Sequence, residues 1–217
     1  MIDDNRHRIL NAAARIYAQH GWRGATTRRI ADEAGVNEVT LFRHFGSKES
    51  LLDQMMQVCA AARANGPTLP LVPENPQDEL FEWSSAQHAL ITGMRSIVRQ
   101  MISEAEERPR VGGCAADGPA AAAGELRDYM VRLRRAGIIA DHVPPVEATA
   151  AATMLMGALF ADAMNRDLMT TMFPQSVDES LRAYVRIFLR GVGALPEQVA
   201  DDSRSATRST TLTSVSE

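Results

Sequence analysis

A chain of 217 residues with 45% hydrophobic side chains has enough apolar material for one sizeable core or two small ones. Its net charge of −4 argues against a chain basic throughout, yet the charge is unevenly placed. Residues 1–50 hold eight Lys/Arg against six Asp/Glu, whereas residues 51–217 hold fifteen against twenty-one, so the N-terminal segment is the basic one.

Helical spacing recurs along the chain and strand signals are almost absent, which predicts an all-α fold. Leu10, Ala13, Ala14 and Tyr17 form the stripe of a first helix closed by Gly21. A second short helix starts at the Thr26-Thr27 caps, buries Ile30, Ala31 and Ala34, and stops at Gly35. Asn37 caps a third, with Val36 stapled onto Leu41 and with Val39, Leu41 and Phe45 turned inward. Ser47 caps a fourth that runs to about Ala64.

The stretch "NGPTLPLVPENPQD" is expected to be a plain loop rather than a polyproline ligand, since it lacks a basic anchor. The helical pattern resumes from Asp78 to about Glu107 with a break at Gly93. It stops in "RPRVGGCAADGPAAAAG" and starts again with Pro119 at the first helical position, to about Ala136. Pro144-Pro145 opens the next helix, to about Arg166, and a capping box from Ser176 to Glu179 opens the last, which ends near Gly191–Gly193. Nine Ser/Thr among the last fifteen residues predict a disordered tail. The division expected is 1–50, 51–195 and a tail at 196–217.

The third helix has an unusual outer side: Thr40, Phe42, Arg43 and His44 crowd outward from only two turns. Two helices joined at Gly35 fit a helix-turn-helix, in which Ala31 allows a close crossing and Gly35 accepts positive φ. The second helix of such a pair enters the major groove, and this accounts for the exposed face.

"TTRRIADEAGV" followed by "TLFRHFGSKESLL" resembles the DNA-binding domain of the TetR (tetracycline-repressor-like) family over about residues 6–53. The resemblance implies that Thr27 and Arg28 touch backbone and base, that Thr40, Phe42 and His44 meet groove and phosphate, and that Lys48 meets phosphate. Arg43 joins them in the basic set. Phe42 stands where the family usually has Tyr, which removes a phenol-to-phosphate hydrogen bond. Glu38 stands where a neutral or basic residue is common; it either favours the helix N-terminus or accepts from a cytosine amino group.

The resemblance also implies an N-terminal DNA-binding domain followed by a helical domain that binds an effector and dimerises. Apolar stripes on the last two helices, among them Leu155, Leu159, Phe160, Leu181, Tyr184, Val185 and Phe188, are built to pair, within one core or across a homodimer. Candidate effector contacts are Trp83, Gln87, His88, Met94, Val98, Met101, Met130 and Met154, with ordinary core packing as the alternative for each.

Cys59 and Cys114 are isolated and expected to be reduced, and the five histidines show no metal spacing, so no cofactor is expected. Met1–Arg15 lacks the apolar stretch of a signal peptide, and no apolar run is expected to approach the roughly 20 residues that span a bilayer. The expectation is therefore a cytoplasmic, non-enzymatic regulator, most simply a repressor. Its partners would be double-stranded operator DNA, a second copy of itself and a small, largely apolar effector. The alternatives are a regulator of the same fold that answers to no ligand or to a protein partner, and a DNA-binding domain fused to an all-α enzyme.

Overall fold

The computed structural model describes residues 2–64, 67–139 and 144–194. Over these the chain is eight α-helices with no strand: α1 (Ile2–Gly24), α2 (Thr27–Ala34), α3 (Glu38–Phe45), α4 (Lys48–Ala64), α5 (Pro76–Ser103), α6 (Pro109–Arg135), α7 (Pro145–Asn165) and α8 (Val177–Gly191). The expected tail, 196–217, lies outside the described residues, as does His142.

Local signals set the N-terminal elements. Gly21 interrupts α1 at φ 64° and ψ −174°, so the expected stop is there and one further turn leaves the axis. The Thr26 hydroxyl accepts from the Arg29 N–H, the Asn37 side chain from the Val39 N–H and the Ser47 hydroxyl from the Ser50 N–H. Gly35, at φ 63° and ψ 39°, ends α2: its N–H meets the Asp32 carbonyl and the Val36 N–H meets that of Ala31. That pair of bonds is a Schellman closure, which needs a residue at ease with positive φ. Ile30, Ala31, Ala34, Leu41 and Phe45 are buried against Ile9, Ala13 and Tyr17 of α1.

Beyond α4, α5 is the central rod, packed against α1, α6, α7 and α8. Two expected breaks are absent. α5 runs through Gly93 without interruption and ends at Ser103, since one glycine costs a long, packed helix only about 1 kcal/mol. α6 begins at Pro109, which takes the first-turn role expected of Pro119. Pro119 lies inside the helix, where it removes one hydrogen bond to the carbonyl four residues earlier, and the alanines around it sustain the helix.

The stretch Val146–Asn165 corrects the expectation about apolar runs, because its 20 residues are long and apolar enough to cross a membrane. In this fold it serves as a core helix: Ala152, Leu155, Leu159 and Ala163 are buried, with the Asp162 carboxylate among them.

Candidate nucleic-acid interface and effector region

Leu41 and Phe45 are one turn apart on α3 and fix its inner side. Val39 precedes Leu41 by two residues, about 200° around the helix, so it cannot share that side. It is 72% exposed, which corrects its expected inward placement. Val39, Phe42 and Arg43, spaced i, i+3 and i+4, present one outward face; Phe42 is 44% exposed. Thr40 and His44 flank it half-buried, and the His44 ring lies against Phe45 with centroids 6.2 Å apart.

Arg28 is exposed at the start of α2. The Thr27 hydroxyl donates to Glu38 at 2.5 Å, which ties the start of α2 to the start of α3. Glu38 therefore has a cross-helix partner that neither sequence reading of it foresaw. Lys48 is placed apart from the α3 face. Its ammonium donates to the Trp22 carbonyl at 2.5 Å, and burial together with Arg108 pulls its pKa down against the opposing pull of Glu49 and Glu104.

Trp22 is held at its amide nitrogen as well. Its N–H donates to Glu104 at 2.7 Å, just past the end of α5, and the Tyr17 hydroxyl and Gln100 amide also donate to that carboxylate. The approach is close: a Cβ at Gly21 would lie 2.5 Å from Gln100 Nε2. The Arg108 guanidinium covers the Trp22 ring at 4.5 Å. Nothing in the local sequence pattern pairs Glu104 with Trp22.

The expected effector contacts do not converge. Gln87, Met94 and Val98 line a narrow cleft with Pro119, Met156 and Phe160. Trp83 is buried, with its indole N–H on the Pro67 carbonyl, and Met101 and Met130 are buried in the core. His88 pairs with Asp162 at 3.0 Å. Met154 is 73% exposed on the far side of α7.

Asp162, which the sequence reading missed, is the polar centre of this half. Its fully buried carboxylate takes two bonds from Arg166, at 2.7 and 2.5 Å, one from the Tyr184 hydroxyl and one from His88. Burial pushes its pKa up, but these hydrogen bonds and the Arg166 charge prevail and hold it below the usual carboxylate range. Three helices, α5, α7 and α8, are thereby joined through one side chain.

Leu155, Leu159, Leu181, Val185 and Phe188 are already buried within one chain, and Phe160 and Tyr184 are half-buried. What α7 and α8 leave uncovered is an apolar groove of about 890 Å³, lined by Ala151, Met154, Ala158, Tyr184 and Ile187. Ile187 is 66% exposed there.

Residues 9–55 match the family of bacterial regulatory proteins, tetR family. The chain is 31% identical over 98 residues to the HTH-type transcriptional repressor AcnR of Corynebacterium glutamicum, a match covering 43% of this chain and 52% of that protein. It is 42% identical over 52 residues to the repressor KstR2 of Rhodococcus jostii, covering 24% of this chain and 26% of that one. The chain thus spans about half or less of the length of these relatives. The fold is shared more widely: the structure of Salmonella enterica GusR superposes with a TM-score of 0.65 over 87% of this chain and 95% of that one, at 18% identity. A TetR-family regulator from Rhodococcus superposes at 0.62 over 88% and 99%, also at 18% identity. The helix-turn-helix segment therefore matches the tetR family in sequence, and the fold of the whole chain is the one seen in TetR-family structures.

Proposed function

We propose that the protein is a transcriptional repressor that binds a palindromic operator as a homodimer and is released by a small, largely apolar ligand. The observation that carries the DNA-binding reading is the outward face of α3. Val39, Phe42 and Arg43 leave the domain on one side, above a core closed by Leu41 and Phe45. Arg43 and Arg28 have the fork geometry for guanine O6 and N7, and the Val39 methyls suit a thymine methyl. Thr27, Thr40 and His44 are assigned to backbone and groove edges, and Phe42 packs on sugar. Glu38 holds Thr27 in place. The repressor sense is supported by the relatives, two of which are described as repressors.

The homodimer reading is supported by the α7–α8 groove, whose exposed Met154 and Ile187 and small alanines give helices room to approach. A two-fold operator requires a two-fold protein. The test is fluorescence anisotropy with duplexes selected from random DNA by the purified protein. Arg43→Ala should weaken the selected duplex by about 1–3 kcal/mol and relax the preference at one base pair per half-site. Selection that enriches no sequence would overturn the reading.

A further inference from the structure

A second groove runs between α6 and α7, adjoining the narrow cleft lined by Gln87. With the solvent at its open mouth included it spans about 1070 Å³, against about 400 Å³ for the cleft, and Pro119, Met156 and Phe160 form part of the wall of both. Its floor is small: Ala116, Ala120 and Ala123 on α6 face Gly157 on α7.

The groove has two unlike ends. Arg127, towards the C-terminal end of α6, and Thr153, towards the N-terminal end of α7, lie near the α6–α7 connection. Ile102 of α5 and Phe160 lie towards the other end and are apolar. The Thr153 hydroxyl donates to the Thr149 carbonyl at 3.0 Å, so its proton is engaged. Among the described residues Arg127, itself exposed, is the one charged side chain lining the groove, and it has no ion-pair partner there. In contrast, Arg95, Arg99, Arg132 and Arg166 are all paired with carboxylates.

We infer that this groove binds an unbranched apolar chain ending in a carboxylate, with Arg127 as the counter-charge. A guanidinium at the rim of an apolar trough favours an anion, repels a cation and gains less from a neutral hydroxyl. The helical rise places residues 116 and 127 about 16 Å apart along α6, long enough to hold an extended chain of about ten carbons. Identifying this ligand as the effector rests on the proposal that the protein is a ligand-released repressor; the binding site itself does not.

The probes are decanoate and 1-decanol, below their aggregation limits, titrated calorimetrically into the full chain. Decanoate should bind once per chain. Arg127→Gln should weaken decanoate about tenfold and leave 1-decanol unchanged, because only the acid uses the charge. Gly157→Leu should weaken both. A Cβ at Gly157 meets nothing within 4 Å, so the new side chain has room to start into the groove, and an unchanged melting curve would show that the fold is kept. The proposal fails if decanoate does not bind, if Arg127→Gln affects acid and alcohol alike, or if Gly157→Leu binds as the wild type does. It also fails if Gly157→Leu changes the light-scattering mass, since the groove would then be an interface between copies. If decanoate binds as described but leaves operator affinity unchanged, the site stands and the ligand-release proposal falls.

Discussion

Replacing Asp162 with Asn keeps the shape of the side chain and removes its charge. Four donor groups converge on this carboxylate: two nitrogens of Arg166, the Tyr184 hydroxyl and the His88 ring. An amide can accept at one oxygen only and turns its NH2 towards groups that are themselves donors. Removing one member of a buried ion pair costs about 3–5 kcal/mol. The Arg166 side chain keeps 19% of its surface, so water recovers part of its solvation and the lower end, about 3 kcal/mol, is expected. For a chain of this size that corresponds to a melting temperature lower by about 6–12 °C.

The pH dependence carries the sign. The folded-state pKa of Asp162 is depressed, so its contribution is fully present above the unfolded value of about 3.9 and is lost as pH falls through the folded value. The gap between wild type and Asp162→Asn should therefore be constant from pH 8 to pH 5 and narrow only below about pH 4. Urea denaturation followed by circular dichroism at a series of pH values measures it. A loss below about 1 kcal/mol would show that the donors find other partners. A gap that narrows already between pH 7 and pH 5 would show that burial, not hydrogen bonding, dominates this site.

Ile187→Glu places a charge in the α7–α8 groove without touching the interior, so light scattering should report a folded monomer with weakened operator binding. Phe188→Glu, by contrast, buries its charge inside the single chain and should lower the melting temperature by several degrees. Lys48→Ala should weaken every DNA sequence alike. If the ammonium leaves Trp22 for a phosphate, the slope of log affinity against log salt should fall by about 0.9 per half-site; an unchanged slope would mean that Lys48 acts only by holding Trp22. Glu104→Gln should loosen the contact of α5 with α1, read as faster hydrogen exchange at the Trp22 amide, with thermal stability reduced by about 1–3 kcal/mol.

The helix-turn-helix was legible because its determinants are local. Thr26, Gly35, Asn37 and Ser47 each act on backbone groups within a few residues, so short-range spacing suffices to place them. Val39 was misplaced by counting an apolar residue as an inner one, when its angle from Leu41 already put it outside. Pro119 was misread because first-turn proline is the commoner use, and a second proline ten residues earlier could fill that role. Asp162 was missed for a different reason: its partners His88 and Tyr184 lie 74 and 22 residues away, and no spacing rule reaches that far. One signal was present, an acid and an arginine at i and i+4 at the end of an otherwise apolar helix. The expected effector contacts dispersed because composition marks α5 as apolar without telling which of its sides meets a cavity.

Trp22 is one of the points at which the two halves of the molecule meet, together with Tyr17 and Arg23. The first turn of α4 holds Lys48, whose ammonium rests on the Trp22 carbonyl. The N–H of Trp22 belongs to α5 through Glu104. Ile102, which lines the apolar end of the α6–α7 groove, precedes Glu104 by two residues, close to half a turn. Trp22 also sits between the end of α1 at Gly21 and the cap of α2 at Thr26, so its position sets where α2 begins. A ligand that pushes Ile102 outward therefore loads the Glu104–Trp22 contact directly. At Gly21 the ends of the Gln100 and Glu104 side chains come close to α1, so the two helices are in direct contact there. A displacement of that turn would move α2 and, through the Thr27–Glu38 bond, α3 with it. In the proposed two-fold assembly small rotations of α3 in both copies would change the separation of the two reading helices, and affinity for a fixed operator spacing would fall without any ligand reaching the DNA surface.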